Sequence, residues 1–219
     1  SAYAAGRQAV TLGASRAEQA QAVAIGSNAR SSGQASTAIG AAAVASEVNS
    51  ISIGSSANTA GKNSVAIGAN SATTSAAAGS VALGSNSQAT RGAIDATKVQ
   101  TNSAPTVADN QVYALASASS TDQSNIRSTV KGTSGAVSVG TQNDTRQIIN
   151  VAAGTEDADA VNVAQLKAVA NFATQAVATT PLAVSNGKVT PPAAADAGKL
   201  ATAGDIANAI NNSGFQATA

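Results

Sequence analysis

A four-letter phrase closing on glycine recurs along the first part of the chain at nearly constant spacing, and so short a period rules out an ordinary mixed core. VTLG ends at Gly13, VAIG at Gly26, TAIG at Gly40, ISIG at Gly54, VAIG at Gly68 and VALG at Gly84, at steps of 13, 14, 14, 14 and 16 residues. Residues two apart share a face of an extended chain, so Val23 and Ile25 point one way and Ala24 the other. The β-branched members favour strand, and the closing glycine has the backbone freedom a tight corner requires. A weaker small-residue stretch follows each glycine, as in SNARSSG after Gly26 and SSANTAG after Gly54. Each period therefore predicts two short strands and two turns, the unit of a parallel β-solenoid in which every coil buries its face on its neighbours. A seventh copy, VSVG, ends at Gly140, 56 residues beyond Gly84. No clean copies lie between, so that stretch is read as a departure and not as four hidden coils.

Such a solenoid must have a thin core. Aromatic residues make up 2% of the chain, Met, Trp and Cys are absent, and the 43% hydrophobic content is mostly Ala. The apolar pair of each phrase is expected to fill the coil. The residue between them then forms a ladder of Thr11, Ala24, Ala38, Ser52, Ala66, Ala82 and Ser138, every one small and uncharged. A solvated face usually carries charges that deter association, so this ladder is expected to pack against another copy of the chain.

Charged residues are 11% of the total and the net charge is +1, which provides no basic field for a nucleic acid. No run of 18 apolar residues is present, so no membrane span or membrane contact is expected. A signal-peptide pattern is likewise missing, as expected if this is a piece of an exported protein.

From Arg91 to Gly135 the phrase disappears and charges gather at Arg91, Asp95, Lys98, Asp109, Asp122, Arg127 and Lys131. Within it, VADNQVYALASA carries Val107, Val112, Tyr113 and Leu115, a candidate strand or hairpin. Beyond VSVG, residues Asn162, Leu166, Val169, Ala173 and Ala176 are spaced 4, 3, 4 and 3 apart, the alternation of a coiled-coil seam. Asn162 in that seam would set register and strand number. Glu156, Asp157 and Asp159 precede it and are expected to stabilise the positive end of the helix. A short lone helix is marginal in water, so partners are required. Asn186 and Gly187 then suggest a tight hairpin turn, and Thr202 with Asp205 a capping box ahead of Ile206 and Ile210.

Taken together, these stretches resemble the head and neck of the trimeric autotransporter adhesins, the YadA-like family of Gram-negative surface proteins. The head resemblance rests on the SVAIG-type phrases of residues 1–87, and residues 91–135 resemble that family's head insert. RQIINVAAGTEDADAVNVAQL matches the family's neck through Asn150, Val151, Gly154, Asp159, Ala160, Val161, Asn162, Gln165 and Leu166. The last 40 residues resemble a stalk connector, with Phe215 where Trp often stands.

The resemblance implies an all-β left-handed parallel β-roll head, trimeric, followed by a neck and a short α-helical coiled-coil segment. The implied organisation is a head over 1–90, an insert over 91–135, the last coil and neck over 136–160, a coiled coil over 161–180 and a connector module over 181–219. Trimer packing would fall to Ala24, Ala38, Ser52, Ala66 and Ala82 near the three-fold axis and to Asn162, Leu166, Val169 and Ala173 in the stalk. The implied partners are two further copies and host matrix proteins such as collagen, fibronectin or laminin, at the cell surface. No cofactor is implied.

Other classes fit the residues poorly. With no His in the chain, a Ser-His-Asp triad is excluded. AGKNS around Lys62 lacks a phosphate loop's first glycine, which would fall at Ser56, and has Asn63 where Ser or Thr belongs. Calcium-stapled coils need a recurring Asp, and no Asp occurs before Asp95. An ice-binding face needs a Thr array, yet the ladder before the insert holds only Thr11. A structural spacer without a ligand site remains the alternative to an adhesive head.

Overall fold

The computed structural model describes residues 1–100, 111–113, 119–176, 182–186, 188–190 and 201–213, and divides into two units, Ser1–Ile148 and Ile149–Ala219. In the first unit the sequence period becomes six coils of two strands each. They are β1 (Tyr3–Ala4) with β2 (Val10–Leu12), β3 (Arg16–Ala17) with β4 (Val23–Ile25), and β5 (Arg30–Ser31) with β6 (Thr37–Ile39). The series continues with β7 (Val44–Ala45) and β8 (Ile51–Ile53), β9 (Asn58–Thr59) and β10 (Val65–Ile67), and β11 (Ala72–Thr73) and β12 (Val81–Leu83). A further short strand, β13 (Gln88–Ala89), precedes the divergent stretch that holds β14 (Asp95–Gln100), β15 (Gln111–Tyr113) and α1 (Ser120–Ser128). The chain then returns as β16 (Val137–Ser138).

The two-residue strands stack into one parallel seven-stranded sheet and the three-residue strands, with β16, into a second. β16 lies directly on β12, with Val81 opposite Val137 and Ala82 opposite Ser138, so VSVG is the seventh rung of its sheet. β14 and β15 pair with each other in parallel, so they are not a hairpin. Val107 and Leu115 lie outside the described residues.

At the five corners from Gly26 to Gly84 the phrase-ending glycine is followed two positions on by a left-handed residue. Gly26 has φ +125° and Asn28 +59°, and Gly54 has +132° with Ser56 at +56°. Asn supplies that conformation at Asn28, Asn70 and Asn86 because it tolerates left-handed backbone better than other side chains do. The second corner of each coil does the same at Gln21, Ala35, Asn49 and Asn63. From Gly26 to Gly68 glycine is required at this corner for a second reason. A Cβ placed on Gly54 would stand 2.5 Å from the Gly68 carbonyl oxygen of the next coil.

The interior reverses the expected sidedness. Ala24, Ala38, Ser52, Ala66 and Ala82 are completely buried within one chain, while their neighbours Val23, Ile25, Thr37 and Ile39 are half-buried on the outer face. The large pairs therefore do not fill the coil, and the small ladder is not left over for packing between chains. The reason is width: the largest fully buried side chain among the described residues is Thr59.

Hydroxyls occupy much of that space and donate to backbone carbonyls. Ser15 Oγ donates to the Ala24 carbonyl at 2.8 Å, Thr59 Oγ1 to Ile51 at 2.8 Å and Ser64 Oγ to Ala77 at 2.8 Å. Ser52 and Thr59 meet at 2.6 Å. A buried hydroxyl with a partner avoids the ~1–3 kcal/mol that an orphan costs, so Ser serves here where an ordinary core needs an aliphatic side chain.

In the second unit α2 (Val163–Ala176) follows an irregular segment, then β17 (Val184–Ser185) and β18 (Lys188–Val189), and finally α3 (Ala203–Asn212). β17 and β18 pair antiparallel around Asn186, which has φ +54°, as the Asn-Gly turn predicts. Thr202 and Asp205 form the expected reciprocal capping box of α3.

Candidate functional site

The outer face of the three-residue-strand sheet is apolar along its length except at Thr37. Strand register aligns Val10, Val23, Thr37, Ile51, Val65, Val81 and Val137 in one row and Leu12, Ile25, Ile39, Ile53, Ile67 and Leu83 in a second. Leu12 is 65% exposed and Leu83 47%. Monomeric proteins rarely leave so continuous an apolar surface in water. The two-residue-strand sheet presents a different row, Tyr3, Arg16, Arg30, Val44, Asn58, Ala72 and Gln88, in which polar residues dominate.

Where the coils end, Arg146 ties down the returning chain. Its Nη1 donates to Ser87 Oγ at 3.0 Å and to the Val139 carbonyl, and its Nη2 to the Ser85 carbonyl. The guanidinium thus bridges the last two glycine corners, through Ser85 just after Gly84 and Val139 just before Gly140. An open cleft of about 660 Å³ lies beside it, lined by Gln88, Thr90, Arg91, Val137, Val139 and Arg146 among others. Arg146 was not singled out from the sequence, because a lone Arg in a polar run carries no periodic signal.

In the second unit the neck residues form one hydrogen-bonded knot. The Gln165 side-chain amide pairs with Gly154 in both directions, its Oε1 accepting from the Gly154 N–H at 3.1 Å and its Nε2 donating to the Gly154 carbonyl at 3.0 Å. The same Oε1 accepts from the Asn162 N–H at 3.2 Å, while Asn162 Oδ1 accepts from the Gln165 N–H at 3.1 Å. That reciprocity is a capping box at the start of α2. Asn162 Nδ2 completes the knot on the Val151 carbonyl at 3.2 Å. Gly154 admits no side chain, since a Cβ there would approach Asp159 Cβ to 2.9 Å. Asn150 adopts φ +61°, and Ala160 and Val161 are exposed.

Two expectations are corrected by this geometry. Asn162 precedes α2 and both ends of its side chain are used within its own chain, so it is a helix cap and not a seam residue. No acidic residue lies in the first turn of α2. Asp159 instead closes the turn before it, with Oδ2 accepting from the Thr155 N–H at 2.9 Å, the Glu156 N–H at 3.1 Å and Thr155 Oγ1 at 3.2 Å. The Thr155 N–H foremost, then the Glu156 N–H and the Thr155 hydroxyl, hold the Asp159 carboxyl below the usual range. The Asn-x-x-Gln spacing ahead of an apolar run was the legible signal for the cap.

Leu166, Val169 and Ala173 share a face of α2, as the heptad spacing predicts, and all three are exposed, Leu166 to 62%. Phe172 is 72% exposed beside them. Ile148 and Ile149 are also exposed. Among the described residues no three His, Cys, Asp or Glu side chains gather as a metal site requires. No helix there is long and apolar enough to cross a membrane.

Comparison with known proteins recovers this arrangement in two places. A family model described as the YadA head domain repeat matches twice, over residues 31–57 and 45–71, and one described as the coiled stalk of trimeric autotransporter adhesin matches residues 147–188. The chain is 72% identical over 40 residues to autotransporter adhesin BadA of Bartonella henselae, covering 17% of this chain and 1% of that protein. It is 51% identical over 71 residues to trimeric autotransporter adhesin AtaA of Acinetobacter sp. (strain Tol 5), covering 32% of this chain and 2% of that protein. The chain thus spans only 1–2% of the length of these relatives. Among solved structures, the collagen-binding domain of the Yersinia adhesin YadA aligns at 24% identity over 78% of this chain and 86% of that one, with a TM-score of 0.47. With matches to the head repeat in its coils and to the coiled stalk from residue 147, the chain is similar in these two stretches to the YadA-like trimeric autotransporter adhesins.

Proposed function

We propose that this chain is a non-enzymatic adhesin head and neck that works as a homotrimer on the surface of a Gram-negative bacterium and binds host extracellular matrix. The observation that carries the reading is the pair of apolar rows on the outer face, Val23 to Val81 and Ile25 to Leu83, which a solitary chain leaves wet. Two further copies of the same chain are the occupant that symmetry and the family favour. The rows then play the role first assigned to the small-residue ladder. Leu166, Val169 and Ala173 repeat the argument in α2, where a three-stranded seam would cover them.

Adhesive rather than purely spacing function is supported by the head repeats and by curated relatives that are adhesins. Collagen is the first matrix protein to try, because the YadA domain found among solved structures is described as collagen-binding; fibronectin and laminin follow. Solid-phase binding decides the matter: saturable binding to one of the three supports an adhesive head, and none supports a spacer.

Assembly is tested separately by light scattering on the wild type, Ile53→Glu and Leu166→Asp. Ile53 is outside the coil, so its charge is harmless to one chain and disruptive only where chains meet. A mass of three chains for the wild type and less for both variants is expected. A wild-type mass near 20.9 kDa would refute the assembly.

A further inference from the structure

We propose that the row Tyr3–Arg16–Arg30 on the first three coils is a binding site for a linear anionic polysaccharide, engaged through sulfate or carboxylate groups. The proposal builds on the adhesive reading but names a site and a ligand class separate from matrix protein.

Charge in the head is not evenly distributed. Before Glu47 the only charged side chains are Arg7, Arg16, Glu18 and Arg30. Three of the four are cationic. The two sheet arginines are register partners on adjacent coils, and Tyr3 is the register partner of Arg16 on the coil before. Further along the same row stand Val44, Asn58, Ala72 and Gln88, none of them charged. Within this row the positive charge is thus confined to one end.

The arginines are also held in place. Arg16 lies over the Tyr3 ring, with Cζ 4.9 Å from the ring centre, a cation–π contact. Glu18 Oε1 lies 2.8 Å from Arg16 Nε and 3.2 Å from Arg30 Nη2, joining the two guanidiniums across coils. Their side chains nonetheless remain 58% and 56% exposed, against 22% for Glu18. Arg16 uses Nε in its pair, and neither Nη atom forms a second ion pair among the described residues. A guanidinium fork fits a carboxylate or sulfate through two parallel bonds. Because Glu18 immobilises both forks, an anion loses less side-chain entropy on binding than at free surface arginines.

The spacing suits a repeating polyanion. Strand neighbours repeat at about 4.8 Å, so the arginines offer two anchors in line along the stack, with an aromatic ring at its end. A folded protein partner would need a desolvated apolar anchor, and this row supplies no large aliphatic side chain before the half-buried Val44. A flexible charged chain needs none.

The test uses the full 219-residue chain and three probes of similar charge: heparin, polyglutamate and single-stranded oligothymidylate. Each is titrated at about 0.15 M salt, where exposed charges are screened beyond roughly 8 Å. Saturable heparin binding is expected, with Arg16→Gln/Arg30→Gln weakened about tenfold or more, as loss of charge-assisted contacts implies. Lys62→Gln, which removes a head cation away from the row, should bind as wild type. Heparin binding unchanged in the double variant, absent altogether, or matched by either other polyanion would overturn the proposal. Arg30→Gln alone serves if the double variant fails to fold. Collagen, fibronectin and laminin binding by the same preparation reports on the adhesive reading independently.

Discussion

Replacing Gly54 by alanine probes the stacking of coils more directly than any core substitution. The new Cβ would stand 2.5 Å from the Gly68 carbonyl oxygen, 2.6 Å from its carbon and 3.0 Å from Ala69 N, all backbone atoms of the adjacent coil. Backbone cannot swing aside as a side chain does, so the two coils must separate locally. Gly54 N–H also donates to the Ile39 carbonyl at 2.8 Å, which ties the same residue to the coil before. Separation therefore costs at least one rung, about 0.5–1.5 kcal/mol. The φ of +132° adds roughly 1–3 kcal/mol for any side chain. Together these amount to about 3 kcal/mol.

Gly13 is the matched control. It has φ +85°, yet a Cβ there meets nothing nearer than 3.5 Å, so only the conformational cost of about 1–2 kcal/mol applies. Thermal unfolding followed by circular dichroism at fixed protein concentration compares the two. For a head of this size 1 kcal/mol moves the midpoint by about 4–8 °C, so Gly54→Ala should melt several degrees below Gly13→Ala. Equal midpoints would show that contact between coils is not what demands glycine.

Two other outcomes follow from the neck. Gln165→Ala removes both bonds to Gly154 and half of the capping box, and should cost about 2–3 kcal/mol, read as faster proteolysis between Gly154 and Asn162. Asp159 and Asp205 have carboxyls lowered in the folded state, the latter by the Thr202 hydroxyl and then the Thr202 N–H, so their stabilisation is complete above the ordinary Asp range and lost as pH falls through the lowered values. With no His in the chain, the neck and α3 should show constant stability from about pH 5 to 8 and loosen only in stronger acid; Asp159→Asn should flatten the neck's share of that acid response.

The period announced strands, corners and stacking because each leaves a mark at a fixed position: a branched pair, a glycine, and left-handed residues such as Asn28 and Asn70. Sidedness left no such mark. Alternation separates Val23 and Ile25 from Ala24 without saying which is inside, and the habit of burying the larger residue fails when the coil has room only for Ala, Ser and Thr. Asn162 misled for a related reason. Its position fits a heptad, but it precedes the helix and its side chain is engaged within its own chain by Val151 and Gln165. Arg146 closes the last corner through contacts some 60 residues away along the chain, a distance over which no local pattern extends.

A head whose interior contains nothing larger than threonine has no centre to which all its parts answer. Every coil touches only the one before and the one after, so a block of about fourteen residues could be duplicated or lost without disturbing the remainder, provided Arg146 still meets a final corner. The length of the stack thus becomes a quantity that gene slippage can adjust in whole steps, like links added to a chain, while the first and last coils stay as they were.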